Sequence, residues 1–161
     1  MIRILPSLLF ACVLAACGGG GSDAQKTAAA LSGDDKSAAA NNPRCQLFTL
    51  AEIARYIGEP VSTARNAAMG AGCQWLAADG SGNVIVSIVP KDYLPRPSGL
   101  KGFKELAVGA RGYVAPEAAG WTAGAIVGPD AIVVAVEGSA ATEANTVGLL
   151  KDAITRHARE R

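Results

Sequence analysis

The sequence predicts an α+β fold, an antiparallel β-sheet with an N-terminal and a C-terminal helix packed on one face. Three observations lead there. A capped amphipathic segment opens the apolar part of the chain, two hairpin-like pairs of apolar runs follow it, and a second amphipathic segment closes it.

Thr49-Leu50-Ala51-Glu52 fits a capping box, in which a hydroxyl and a carboxylate satisfy the free backbone donors of a helix start. Leu50, Ile53, Ala54 and Ile57 repeat at helical spacing, Gly58 supplies a left-handed cap and Pro60 prevents continuation, so the first helix covers 50 to 57. Val61 to Met69 is weakly patterned and reads as an edge strand ended by Gly70-Ala71-Gly72. Cys73-Gln74-Trp75-Leu76 alternates, and Asp79-Gly80-Ser81-Gly82 turns it into Val84 to Val89, a hairpin. Pro90 ends that strand, and Pro95 and Pro97 are expected to keep Lys91 to Ser98 extended. A short strand with glycine bends is expected around Leu106 to Val114. Trp121 to Val127 and Ala131 to Val136 flank Gly128-Pro129-Asp130 as a second hairpin, its later strand apolar enough to be central. Val147, Leu150, Ile154 and Ala158 mark one face of a final helix over 142 to 158.

The first 42 residues read differently. After Arg3, Ile4 to Ala16 form an apolar run broken only by Pro6 and Ser7, of signal-peptide length and too short to span a bilayer. Leu14-Ala15-Ala16 stands directly before Cys17, and Gly18 to Gly21 follow. This arrangement resembles the lipobox of bacterial lipoproteins. The resemblance implies that residues 1–16 are a lipoprotein signal peptide and that the Cys17 thiol receives a diacylglyceryl group. Cys17 would then begin the mature chain, its amine acylated in turn. Two or three acyl chains anchor permanently where one is marginal. Gly18 in place of Asp after the lipidated cysteine favours the outer membrane, facing the periplasm, where the source has two membranes. An ordinary signal peptide with a stray cysteine, or a short uncleaved membrane helix, are the other readings of the same residues.

The whole chain has 15 Lys and Arg against 14 Asp and Glu, and loss of Arg3 with the signal leaves the mature chain neutral. With no basic cluster, electrostatic capture of nucleic acid is not expected. Gly18 to Asn42 hold one large apolar residue, Leu31, too little to offset the entropy of ordering; residues 17–42 therefore read as a lipidated cysteine and a Gly/Ala/Ser tether, and 43–161 as a single domain.

Cys12 falls in the discarded segment and Cys17 is acylated, which leaves Cys45 and Cys73. In the oxidising compartment that the lipobox implies, an even pair bridges. A loop of this length is worth roughly 3.5 kcal/mol in the chain-entropy model. Two thiols and one distant His157 do not complete a metal shell, so neither metal nor cofactor is expected.

Further residues carry a second resemblance. Cys45-Gln46-Leu47, Leu50 with Ala51-Glu52-Ile53 and Gly58, Cys73-Gln74-Trp75 and Gly109-Ala110-Arg111-Gly112-Tyr113, behind a lipobox and tether, are similar to the domain-of-unknown-function 3558 family of bacterial lipoproteins. The resemblance covers about residues 43 to 156. It implies a fold similar to PsbP and Mog1 proteins and a cell-envelope role, and it supplies no catalytic residue.

His157, near the end of the last helix, suits the helix dipole and is expected to be solvated. Ser81 and Ser139 fit turns, not a Gly-x-Ser-x-Gly elbow. Asp79, Asp92, Glu105, Glu117, Asp130 and Glu137 fall at turns and strand ends, where acids are ordinarily solvated, and Trp75 and Trp121 at core positions. No catalytic residue is expected. The surface to single out is Lys91 to Pro97: two prolines stiffen it, and Tyr93, Leu94 and Arg96 are its candidate partner-binding residues, set against a plain connection covering a sheet edge. The expected function is a lipid-anchored cell-envelope binding module, in one form a periplasmic inhibitor or immunity lipoprotein. Its partners would be the membrane, through its lipid, and an envelope protein or cell-wall component. The alternative is a structural or assembly subunit of an envelope or secretion complex.

Overall fold

Seven antiparallel strands form one sheet in the computed structural model, which describes residues 39–161. They are β1 (Val61–Ala67), β2 (Gly72–Ala77), β3 (Asn83–Pro90), β4 (Lys104–Glu105), β5 (Ala110–Glu117), β6 (Gly120–Val127) and β7 (Asp130–Glu137). Their spatial order is β1-β2-β3-β7-β6-β5-β4. Three helices lie wholly within the described residues: α1 (Pro43–Gln46), α2 (Leu50–Ile57) and α3 (Glu143–Arg159). The α+β class and the antiparallel sheet are as the sequence predicts.

The last strand is the middle of the sheet because it is apolar on both faces. Ile132, Val134 and Val136 pair with Ile88, Val86 and Val84 of β3 and pack under the helices, while Ala131 and Val133 point to the opposite side. The helix-side core joins Ile53 and Ile57 of α2 and Leu149, Leu150 and Ala153 of α3 to Cys73, Trp75, Val114, Ala123 and Ala125 of the sheet. Both longer helices thus cover one face. Trp75 is fully buried there, with Phe48 meeting it edge-on at 6.1 Å, and Trp121 lies half-buried at its margin.

The helix starts follow the sequence closely. Thr49 accepts from the Glu52 backbone N–H, Glu52 accepts from the Thr49 N–H, and Gly58 takes φ +84° after the last residue of α2. Thr142 caps α3 through the Asn145 N–H. The buried stripe of α3 is Thr146, Leu149, Leu150, Ala153 and His157; of the expected face, Leu150 lies in it, Val147 and Ile154 pack half-buried against the core, and Ala158 is exposed.

Three further differences have local causes. α1 was not expected, and Ala39 and Asn42, placed in the tether by composition, are buried. Polar bonding explains Asn42: it caps α1 and donates to the Gly72 carbonyl at 2.9 Å and to Asn66 Oδ1 at 2.8 Å. Lys91 to Tyr93 is a 3₁₀ turn, not extended, because its closing bond, Leu94 N–H to the Lys91 carbonyl, turns Leu94 inward. Of the short strand expected around Leu106 to Val114, only the part from Ala110 on lies in a strand, β5; β4 precedes it, and residues 106–109 bend between the two. That bend folds back onto Gly112 of β5, where a Cβ would lie 2.4 Å from the Val108 carbonyl oxygen. β5 then runs on through Pro116, beyond its last β4 pair, where a missing N–H costs no ladder bond.

Candidate functional site

The predicted lipidation site, Cys17, lies outside the described residues, as do the expected signal peptide and nearly all of the expected tether. The other two predicted cysteines are brought together. Cys45 in α1 and Cys73 in β2 have Cα atoms 5.0 Å apart and sulfurs at disulfide distance, pinning α1 to the sheet.

The Lys91 to Pro97 loop crosses the face of the sheet opposite the helices. Leu94 is buried in a small second core with Tyr113, Ala115 and Ala131, beside Phe103, which stacks on Tyr113 at 6.0 Å. That correction removes Leu94 as a contact residue: its apolar side chain anchors the loop and is not offered to a partner. Tyr93, by contrast, is 74 % exposed. Arg96 pairs with Glu105 and lies 6.0 Å from the centre of the Phe103 ring. The loop is therefore held from below by Leu94 and from the side by Arg96, and presents Tyr93.

A polar cleft of about 240 Å³ separates α2 from α3 and is lined by Phe48, Glu52, Arg55, Tyr56, Asn145, Asp152 and Arg156. Most of its charges are already used. Arg156 donates to both oxygens of Glu52 and to the Leu47 carbonyl, with its guanidinium 4.4 Å above the Phe48 ring. The Arg156 bond and the Thr49 N–H hold the Glu52 carboxyl at about 2, far below its usual 4.5. Tyr56 donates to Asp152 at 2.6 Å, and burial together with that bond pushes its hydroxyl up to about 12. Groups engaged this way clamp two helices.

Four of the acids at turns and strand ends are engaged as well, while Asp92 and Glu117 are exposed. Asp79 accepts from the Ser81 N–H, Glu105 from Arg96, and Glu137 from Asn83. His157 corrects the expectation of a solvated ring: it is 8 % exposed, with Nε2 2.8 Å from Asp130 Oδ2, because α3 ends against the turn between β6 and β7. Arg161 pairs with the same carboxylate. Among the described residues no group of three His, Cys, Asp or Glu side chains could hold a metal ion, and no helix is long and apolar enough to cross a membrane.

One exposed residue had no distinguishing signal in the sequence. Met69, inside a weakly patterned stretch, is 97 % exposed at the tip of the β1–β2 hairpin. Comparison with protein-family models, with curated proteins and with solved structures finds no match to this chain.

Proposed function

We propose that the chain is a lipid-anchored cell-envelope binding module without catalysis of its own, held by acyl chains on Cys17 and engaging an envelope protein or wall component through the Tyr93 loop. Leu14-Ala15-Ala16-Cys17 followed by Gly18 to Gly21 carries the anchored part of this reading. The pairing distance of Cys45 and Cys73 supports export, since structural bridges persist in oxidising compartments. Tyr93 supports the binding part: an exposed aromatic on a loop fixed by Leu94, Arg96 and two prolines loses little entropy on contact. An inhibitor or immunity lipoprotein is the specific form in which such a module acts by occupying a partner. A structural or assembly subunit is the second reading, favoured by nothing beyond the same anchor.

Capture from an envelope extract of the producing cells, with full-length protein and its Tyr93→Ala, Arg96→Ala double variant, tests the binding surface. A partner held by the first and lost by the second is expected. Equal retention by both refutes the loop as the contact. A partner that co-purifies at fixed stoichiometry through a sizing column points instead to a subunit of a stable complex.

A further inference from the structure

We infer that the tip of the β1–β2 hairpin, Ala68-Met69-Gly70, contacts the surface of the bilayer that holds the lipid anchor and so fixes which end of the domain faces the membrane. The inference rests on the lipid-anchored reading above. Among the described residues Leu50, Met69, Tyr93 and Leu100 are the exposed large hydrophobics, and Met69, at 97 %, is the most exposed of the four. Ala67 to Gly72 carry no charge. Ala68 and Met69 sit at φ 48° and 53°, the left-handed region that favours glycine or asparagine. Met69 packs on nothing that would offset this strain, so the fold itself gives no reason for an apolar side chain here.

The occupant follows from where the chain leaves the fold. Asn42 Nδ2 donates to the Gly70 and Gly72 carbonyls and to Asn66, and Ala39 is buried, so the described chain begins against the base of this hairpin. Only residues 18 to 38 stand between that point and Cys17. Strand register adds neighbours to this end of the sheet. Ile88 donates to the Ala71 carbonyl, Pro90 pairs with Asp130, and β5 begins opposite Ile126. Lys91 and Arg111 are exposed here and make no ion pair with the described residues, which suits anionic headgroups. Asp92 and, just past the end of α3, Glu160 are exposed acids at this end, while Asp130 is occupied by His157 and Arg161. One methionine would hold a free domain poorly, but an anchor that confines the domain near the bilayer makes a weak contact persist. Tyr93 lies at the same end, so the partner it meets is one displayed at the membrane surface.

Met69 is the only methionine after Met1, which allows the unmodified protein to be tested. Full-length lipidated protein is reconstituted into phosphatidylethanolamine and phosphatidylglycerol vesicles and treated with a membrane-impermeant oxidant, and sulfoxide at residue 69 is read by peptide mass. Oxidation several-fold slower than in soluble Cys17→Ser protein is expected. Equal rates in protein that floats with the vesicles overturn the contact and leave the anchor standing. Protein that does not float loses the anchor, and the contact falls with it. Slow oxidation in the soluble form that quickens on dilution assigns the tip to a second copy and overturns the bilayer as occupant. As a second reading, brominated acyl chains should quench Met69→Trp and spare Leu100→Trp, which sits near Gly102 and Pro116 toward the other end of the sheet. Equal quenching at the two positions contradicts the orientation.

Discussion

An L-residue in the left-handed region gives up about 1–2 kcal/mol, and at Met69, with φ 53° and its side chain in solvent, no packing returns it. Met69→Gly should therefore stabilise the domain by about 1 kcal/mol once the extra freedom of glycine in the unfolded chain is subtracted, measured as a higher urea midpoint at unchanged slope. A lower midpoint would mean that the side chain packs on the fold after all. Glu52 makes a pH-dependent contribution. Its carboxyl titrates at about 2 when folded, so its stabilisation is complete above its usual 4.5 and is lost as pH falls toward 2. Because the side chain is 26 % exposed, solvent screening leaves roughly 1–2 kcal/mol of it. Acid titration of the unfolding free energy should show this limb, and Glu52→Gln should flatten it. The capping role of Glu52 was legible from Thr49 three residues earlier, whereas its partner Arg156 was not, since no local pattern links positions 104 apart. His157 escaped for the same reason: on a helix wheel it is a polar residue near a helix end, and only the turn carrying Asp130 buries it.

At the scale of elements, the sequence was readable wherever period and punctuation agreed. Both hairpins, α2 with its caps and the central position of β7 follow from alternation, glycine turns and apolarity. The β4–β5 region did not, because its geometry comes from backbone approach at Gly112 and from a two-residue pairing too short to leave a pattern. The expected stripe on α3 is met at Leu150 and in part at Val147 and Ile154, while the sheet also takes Leu149, Ala153 and His157, since several apolar stripes overlap on a helix rich in small residues. Leu150→Ala, which empties a fully buried site between α3 and the sheet, should cost about 2–5 kcal/mol in denaturant unfolding. A cost below 1 kcal/mol would place α3 loosely on the sheet. Replacing Cys45 and Cys73 together by serine should lower stability by roughly 3 kcal/mol, through the loop between residues 28 apart. An unchanged midpoint would show that the unfolded chain gains no freedom without the bridge.

For the whole molecule, fold class was legible because one antiparallel sheet with helices on one face is the economical way to cover these apolar stripes. The proposed binding surface was legible only in part. Tyr93 and Arg96 belong to a loop that composition singled out, but Leu94 looks the same in sequence and is turned under the second core. Met69 left no trace in sequence pattern, because exposure depends on where a hairpin tip projects. The proposed function depends on attachment at Cys17, and the intact mass of the protein purified from the membranes of producing cells tests that directly. A chain beginning at Cys17 and heavier than its amino acids by a diacylglyceryl group and an N-acyl chain is predicted. A chain that retains residues 1 to 16, or an unmodified one recovered in the soluble fraction, would contradict it.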